Sequence, residues 1–383
     1  MEKINIAFLR TSPRRSEILL GAEEIILTLA ESLDRTKFNP LVVAFKEEGD
    51  EIPPLVTMAN ERQIPTEVIA LKGRFDFHSI TKLRRLVLKN KIDIVHSHEY
   101  KSDVIAFIAT RFISAKLIAT THGWIAINLK VKFYEFLDSQ VLRFFDKIIA
   151  VSNIMRQELL KSRISPSKIA VIENALDFSA FQVSGSRANL IKELGLSPNA
   201  FIIGAVGRLS LERGYIYLLK AAKKVIESFP SVVFLLVGDG YLKDSLIAET
   251  ERLGIKDKIY FLGFRNDIHN IISVMDIFIS SSLKESFGLA LVEAMAAGKA
   301  VVATKVGIAL DIIKEGETGI LIEPKNREAI YKAIARLLTD EKLRDKIAAS
   351  AKNLIVERFS CQQMVAKYQQ AYLDLVNNGK KNN

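Results

Sequence analysis

The chain has 383 residues, more than one typical core accommodates, and this length points to two domains. Apolar residues make up 49% of it, which excludes a disordered chain, and the single cysteine, Cys361, excludes an internal disulfide and fits a reducing compartment. A formal charge of +10 leaves three partner classes: nucleic acid, an anionic membrane surface, or an anionic small substrate.

The basic excess is spread over both halves, with no basic tail and no nucleic-acid motif, so no nucleic-acid partner is expected. The start, MEKINIAFLR, has no apolar stretch of signal-peptide length before Arg10. The longest apolar region, 104–129, is broken by Arg111 and Lys116, too early to span a bilayer. A soluble cytoplasmic protein is the expectation.

Residues 4–9 (INIAFL) read as a first strand and 21–33 as an amphipathic helix with Ile25, Ile26, Leu29 and Leu33 inward. Strands and helices then alternate through 41–45, 55–62, 67–71, 79–90, 92–96, 102–113, 116–121, 131–143 and 147–151. A second series begins at 201–206 (FIIGAV) and runs through 215–228, 232–237, 241–253, 258–262, 267–274, 277–279, 288–297 and 300–303. Such alternation predicts parallel sheets covered on both faces, with ligands at the carboxyl ends of the strands. The expected domains are 1–178 and 179–360, followed by a helix at about 360–377 and a polar tail within 361–383.

Between the first strand and helix lies a basic loop, RTSPRRSEILL, in which Arg10, Arg14 and Arg15 either bind anions or are solvated. Gly21 lets backbone come close to a phosphate or sugar. Residues 72–91 carry seven basic residues against Asp76, with Phe75 and Phe77 close by. That surface suits docking on an anionic membrane, although an ordinary solvated helix face is the preferred reading. His96 and His98 fall on one face of a strand end, which invites a metal, but no third ligand stands at a convincing spacing. A positional role is therefore preferred. His122 sits at a strand's carboxyl end beside Gly123, where a site is expected rather than a packed core histidine.

In Gly207-Arg208-Leu209-Ser210-Leu211-Glu212-Arg213-Gly214, two cations follow a strand end and a glycine. They suit a leaving diphosphate, whose growing charge needs stabilisation. Many transferases use a metal on an Asp-x-Asp motif, which this chain lacks; Arg208 and Arg213 can serve as fixed charges instead. Val237-Gly238-Asp239-Gly240 needs to be no more than a turn, since it lacks the third glycine and the acidic residue of a dinucleotide fold. The most informative stretch is 276–298, DIFISSSLKESFGLALVEAMAAG. An apolar strand, a polar loop and a helix starting at Gly288, with Leu289, Val292 and Met295 inward, make an anion site of unpaired backbone N–H groups. Glu285 and Glu293 flank it as acceptors for hydroxyl groups, a constellation that fits a nucleotide-sugar.

This stretch resembles the donor-site signature of the retaining nucleotide-sugar glycosyltransferases of family 4, which have the GT-B fold of two doubly wound Rossmann-like domains facing across a cleft. The resemblance implies that Glu285 holds sugar hydroxyls, Glu293 holds the ribose, and Phe287-Gly288-Leu289 offers amides to sugar and phosphate. It places His122 on the transferred sugar, Arg208 and Arg213 on the leaving diphosphate, and the backbone at Phe264 and Arg265 against the base. It also covers Gly21, Glu173-Asn174-Ala175-Leu176-Asp177, TKVGI at 304–308 and GETGI at 316–320. The chain departs from the family pattern at Leu20, Ala175 and Ile308, where glycine is usual, at Asp311 for glutamate, and at Arg213 for lysine. The expected activity is retaining transfer of a sugar from a nucleoside diphosphate to an acceptor hydroxyl, without a metal or other cofactor. A cell-surface glycan or lipid-linked acceptor is the expected partner. A GT-B sugar-nucleotide epimerase and a non-catalytic partner subunit are the alternatives, while an NAD-dependent oxidoreductase is disfavoured because no Gly-x-Gly-x-x-Gly is present.

Overall fold

The computed structural model describes residues 3–11, 21–72, 76–122, 129–176, 178 and 187–381. Elements follow in chain order β1 (Ile4–Thr11), α1 (Gly21–Ser32), β2 (Phe38–Glu47), α2 (Pro54–Glu61), β3 (Thr66–Leu71), α3 (Phe77–Lys89), β4 (Ile94–Ser97), α4 (Tyr100–Ala109), β5 (Lys116–Thr121), α5 (Leu129–Leu142), β6 (Lys147–Ala150), α6 (Asn153–Lys161) and β7 (Ile169–Val171). Then come α7 (Arg187–Glu193), β8 (Phe201–Val206), α8 (Tyr215–Ser228), β9 (Val232–Val237), α9 (Lys243–Leu253), β10 (Ile259–Gly263), α10 (Ile268–Val274), β11 (Ile277–Ser280), α11 (Leu289–Ala296), β12 (Ala300–Thr304), α12 (Ala309–Ile312), β13 (Ile320–Ile322), α13 (Arg327–Thr339), α14 (Glu341–Arg358) and α15 (Cys361–Lys381).

The chain divides into two compact units, 1–175 with 361–383, and 176–360. The first holds a parallel sheet ordered β3-β2-β1-β4-β5-β6-β7, the second one ordered β10-β9-β8-β11-β12-β13. Strand order therefore reverses between β1 and β4, and again between β8 and β11. Ligands of doubly wound sheets bind beyond the strand ends at such reversals.

Strand β1 explains why the first sheet is covered on both sides. Ile6 and Phe8 enter one core with α1 and α15, while Ala7 and Leu9 enter the opposite core with residues of α3, α4 and α6. Alternate side chains of a strand face opposite ways, so an unbroken apolar run needs two covers. Helix α15 supplies part of one cover by burying Met364, Val365, Tyr368 and Tyr372. Burial of each such side chain stabilises by about 1.5–3 kcal/mol, enough to hold the helix against this sheet.

Several elements lie outside the sequence expectations: α6, β7, α7, α12, β13, α13 and α14. The expectation for 102–113 also overran, because α4 stops at Ala109 and Phe112 takes a positive φ of 65°. Caps mark two of the missed helices: the Asn326 side chain accepts from the Ala329 amide at the start of α13, and Asp340 from the Leu343 amide at the start of α14. Helix α13 then buries Ile330, Ala333, Ile334 and Leu337, an ordinary amphipathic stripe.

Candidate active site

In the second unit, two loops at the β8/β11 reversal are laced together. Gly214 has a φ of 67°, and a Cβ there would lie 2.2 Å from the Ser281 carbonyl oxygen. Only glycine allows that approach, and the approach aligns the Arg213–Gly214 turn with the loop after β11. Ser281 Oγ donates to the Arg213 carbonyl at 2.9 Å, and the Leu283 amide donates to the Glu212 carbonyl at 2.7 Å. Across this seam the Arg213 guanidinium donates to the Glu285 carboxylate. Tyr215, at the start of α8, donates its hydroxyl to the Gly207 carbonyl at 3.1 Å, and burial pushes its phenol well above the usual range. Arg213, Tyr215, Ser281, Ser282, Glu285 and Gly288 together line a small pocket.

Glu285 is pressed into place from the side of β12. A Cβ on Gly307, whose φ is 58°, would come within 2.9 Å of Glu285 Cγ and 3.1 Å of the Phe287 carbonyl oxygen. The next residue, Ile308, is fully buried, has an ordinary helical φ of −65°, and donates its amide to Phe287 O at 2.9 Å. Glycine is therefore not required at Ile308. Phe287 is buried and packs edge-on against Phe359 at 6.0 Å, so its role is to hold the loop.

Gly288 caps α11 with φ 98°, leaving the first amides of that helix without an intrahelical acceptor. Val292 and Met295 are fully buried as expected, whereas Leu289 in the first turn is half-buried and Leu291 takes an inward position. Glu293, one turn in, accepts no side-chain hydrogen bond from any described residue, and burial raises its carboxyl to about 7. A half-buried carboxylate without a protein donor is suited to accept hydroxyl hydrogens from a ligand.

The other sequence candidates fall differently. Arg208 is exposed, and its guanidinium makes no hydrogen bond or ion pair with any described residue. The Arg265 guanidinium is held by Asp267 through two bonds, at 2.7 and 2.8 Å, and by Glu193 at 2.7 Å. What that segment offers a ligand is backbone and the Phe264 ring, which is 44% exposed. Gly238 and Gly240 pack against the Gly207 and Leu209 carbonyls and serve as turn residues.

In the first unit, the β1/β4 reversal brings together Arg10, His98 and His122. Arg10 Nη1 donates to the His98 carbonyl at 2.8 Å, and His98 Nδ1 lies 3.1 Å from His122 Nε2. Burial, reinforced by the Arg10 cation, lowers the His122 imidazole to about 3. His96 belongs to the core: it is fully buried and engages both ring nitrogens, with Tyr372 and Thr120 at 2.8 Å each. Among the described residues no group of three or more His, Cys, Asp or Glu is placed to hold a metal ion. Gly21 opens α1, whereas Arg14, Arg15, Leu20, Arg74, Phe75 and Gly123 lie outside the described residues.

Sequence reasoning missed Gly307, Tyr215 and the loop serines around Glu285. Their signal existed only as a glycine in TKVGI and a serine run after β11, neither of which says what it will touch.

Two family models match the chain, Glycosyltransferase Family 4 over residues 20–180 and Glycosyl transferases group 1 over 186–354. The chain is 30% identical to the UDP-Gal:alpha-D-GlcNAc-diphosphoundecaprenol alpha-1,3-galactosyltransferase of Escherichia coli, over 98% of each chain. It is 27% identical to the capsular polysaccharide biosynthesis glycosyltransferase CapM of Staphylococcus aureus, over 75% of this chain and 78% of that one. Among solved structures it is similar to Anabaena HepE in complex with UDP and glucose, with a TM-score of 0.84, 25% identity, and coverage of 96% and 98%. A glycosyltransferase from Rickettsia africae aligns with a TM-score of 0.83 at 24% identity, over 99% of this chain and all of that one.

Two parallel, doubly wound units with these likenesses define the class as GT-B glycosyltransferases. The chain belongs to the family 4 glycosyltransferases and is an enzyme that transfers a sugar from a nucleoside-diphosphate-sugar to an acceptor hydroxyl. Neither the epimerase nor the partner-subunit alternative is favoured.

Proposed function

We propose that this enzyme transfers a sugar from a UDP-sugar, with retention of configuration, to a lipid-linked glycan in cell-surface polysaccharide assembly. The observation that carries this reading is the Arg213–Glu285 pair beside the Gly288 amides, with Glu293 left free to accept hydroxyls. The Escherichia coli relative, matched over 98% of its length and named for UDP-Gal and a diphosphoundecaprenol-linked acceptor, supports the donor base and the acceptor class. Glu285 orients the sugar, Glu293 binds the ribose, and the Phe287-Gly288-Leu289 amides meet sugar and phosphate. Arg213 and Arg208 stabilise the departing diphosphate as fixed cations, so no metal is required. His122 hydrogen-bonds the transferred sugar, the Phe264-Arg265 backbone meets the base, and Gly21 admits a close backbone approach to the ligand. The acceptor hydroxyl attacks on the face from which the diphosphate leaves and passes its proton to the leaving phosphate.

A panel of UDP-, GDP- and ADP-sugars, assayed for binding and slow hydrolysis in EDTA, tests this reading. Turnover of UDP-sugars that is lost in Glu285→Ala, and accelerated by an N-acetylglucosaminyl-diphospholipid acceptor, is expected. Interconversion of the donor without an acceptor, or no binding of any donor, would overturn it.

Peripheral contact with an anionic membrane is the finer part of the proposal. Helix α3 carries Lys82, Arg84, Arg85 and Lys89 and no acidic residue, with Phe77 78% exposed and Leu88 55% exposed. Arg84 turns away to donate to the Ala109 and Arg111 carbonyls, which leaves Lys82, Arg85 and Lys89 on the surface. Among the described residues no helix is long and apolar enough to cross a membrane. Co-sedimentation with phosphatidylglycerol vesicles that is absent with phosphatidylcholine and lost at high salt is expected; binding insensitive to both would remove this part.

A further inference from the structure

The first unit contains a row of polar rings that the proposed chemistry does not use. On the buried side of the sheet, the hydroxyl of Tyr372 meets His96 Nδ1 at 2.8 Å. The opposite nitrogen of His96 meets Thr120 Oγ1 at 2.8 Å, and Thr120 Oγ1 meets the Tyr368 hydroxyl at 3.0 Å. Tyr368 and Tyr372 are four residues apart on one face of α15, and both are fully buried. His96 is thus held by both nitrogens, and its ring cannot turn without breaking a buried hydrogen bond.

The His98 ring packs on His96 with centroids 4.2 Å apart. Its Nδ1 faces His122 Nε2 at 3.1 Å, and the two ring planes are inclined by only 23° with centroids 5.4 Å apart. Nearly parallel planes with a short nitrogen–nitrogen approach and well-separated centroids mean that the rings meet edge to edge. That is the geometry of an imidazole–imidazole hydrogen bond. Burial keeps all three imidazoles neutral at physiological pH, lowering His96 and His122 to about 3 and His98 well below its usual range. A neutral imidazole has one donor and one acceptor nitrogen, so one of the facing pair must donate and the other accept.

Burial decides the direction. His98 Nε2 is buried with no partner among the described residues. An orphaned N–H is rarer and costlier than an orphaned lone pair. The proton of His98 therefore sits on Nδ1 and is donated to His122 Nε2.

We propose that His98, braced by His96 and the α15 tyrosines, is a positioning residue that holds His122 as the Nδ1–H tautomer with a fixed ring orientation. His122 then presents a donor at Nδ1, matched to a sugar hydroxyl oxygen. This last step rests on the assignment of His122 to the transferred sugar; the tautomer itself does not.

Long-range proton–nitrogen NMR of protein labelled with nitrogen-15 at its five histidines reads the tautomer directly. Difference spectra with single-histidine variants assign the signals. In the wild type, His122 is expected as one neutral tautomer protonated at Nδ1. In His98→Gln it becomes a mixture of tautomers, and Tyr372→Phe, which removes only the hydroxyl, shifts it in the same sense by less. For transfer, His98→Gln is expected to lower kcat about tenfold with the donor KM changed less than about twofold, since misplacing a substrate-positioning group acts on the reacting geometry. A wild-type His122 protonated at Nε2, or a His122 tautomer unchanged in both variants, overturns the proposal. If His98→Gln does not fold, the wild-type and Tyr372→Phe spectra still decide. If His122→Ala transfers sugar as the wild type does, the role of His122 in the reaction fails while the spectra judge the positioning separately.

Discussion

Arg213 and Glu285 are 72 positions apart in the chain, yet the guanidinium of one donates to the carboxylate of the other, and the carboxylate side chain is only 10% exposed. Each fixes the orientation of the other, and in the proposed reaction the donor meets the pair in that orientation. A pair of this kind is costly to break from one side, because the remaining charge stays buried without compensation.

Replacing Arg213 by alanine is therefore expected to lower kcat/KM by about 100-fold, the scale for losing one charge-stabilising donor. Arg213→Lys keeps the charge and is expected to lose roughly tenfold, because a point charge replaces a two-pronged donor. Steady-state kinetics with the preferred UDP-sugar, at several donor concentrations, separates the two variants. Equal activity in all three proteins would mean that Arg213 takes no part in the transfer.

Gly307→Ala tests whether Glu285 must be held where it is. The added methyl would stand 2.9 Å from Glu285 Cγ at a φ of 58°. A backbone conformation of that hand costs about 1–2 kcal/mol for a residue with a Cβ. The expected result is a modest fall in thermal stability and a larger fall in turnover. Thermal unfolding and transfer rates measured on one preparation compare the two.

The carboxyl of Glu293, raised to about 7 by burial, predicts a pH-dependent donor affinity. Below that value the group is protonated and loses much of its power to accept from the ribose hydroxyls proposed to bind there. Above it, the carboxylate forms and binding strengthens. Affinity for the UDP-sugar, whose diphosphate does not titrate in this range, is expected by calorimetry to rise from pH 6 to pH 8 in the wild type and to stay flat in Glu293→Gln, with pH 7 the midpoint that the raised carboxyl sets. For stability the sign is opposite: the folded state holds this proton more tightly than the unfolded one, so its stabilising contribution is lost as pH rises through about 7.

Asp103 and Asp138 form a buried carboxyl pair between α4 and α5, with Ser97 Oγ donating to Asp103. Burial first, then the neighbouring Asp138, raises the Asp103 carboxyl well above its usual range, which predicts a proton shared by the pair. Stability from that shared proton is complete at low pH and is lost as pH rises through the raised value. Asp103→Asn, which supplies a permanent donor to Asp138, is expected to be more stable than the wild type at high pH. Thermal unfolding across the pH range should show the advantage shrinking towards acid; an advantage independent of pH would exclude a shared proton.

The sequence by itself determined the alternation of apolar strands and amphipathic helices, hence two parallel sheets, because periodicity is a local property of the chain. It also made legible the proposed donor-site stretch around Glu285, Gly288 and Glu293, whose strand, loop and helix lie within 23 consecutive residues. Only the tertiary structure decided which cation meets Glu285. Arg208 and Arg213 look alike in sequence, and a turn set by Gly214 against Ser281 brings Arg213 in while Arg208 stays exposed. It likewise decided that Arg265 is held by Asp267 and Glu193, that Gly307 presses on Glu285, and that His96 is a core residue while His98 reaches His122. Those contacts join residues from 2 to 276 positions apart. The distant ones arise when strands align in register and loops close over their ends, which no local pattern encodes.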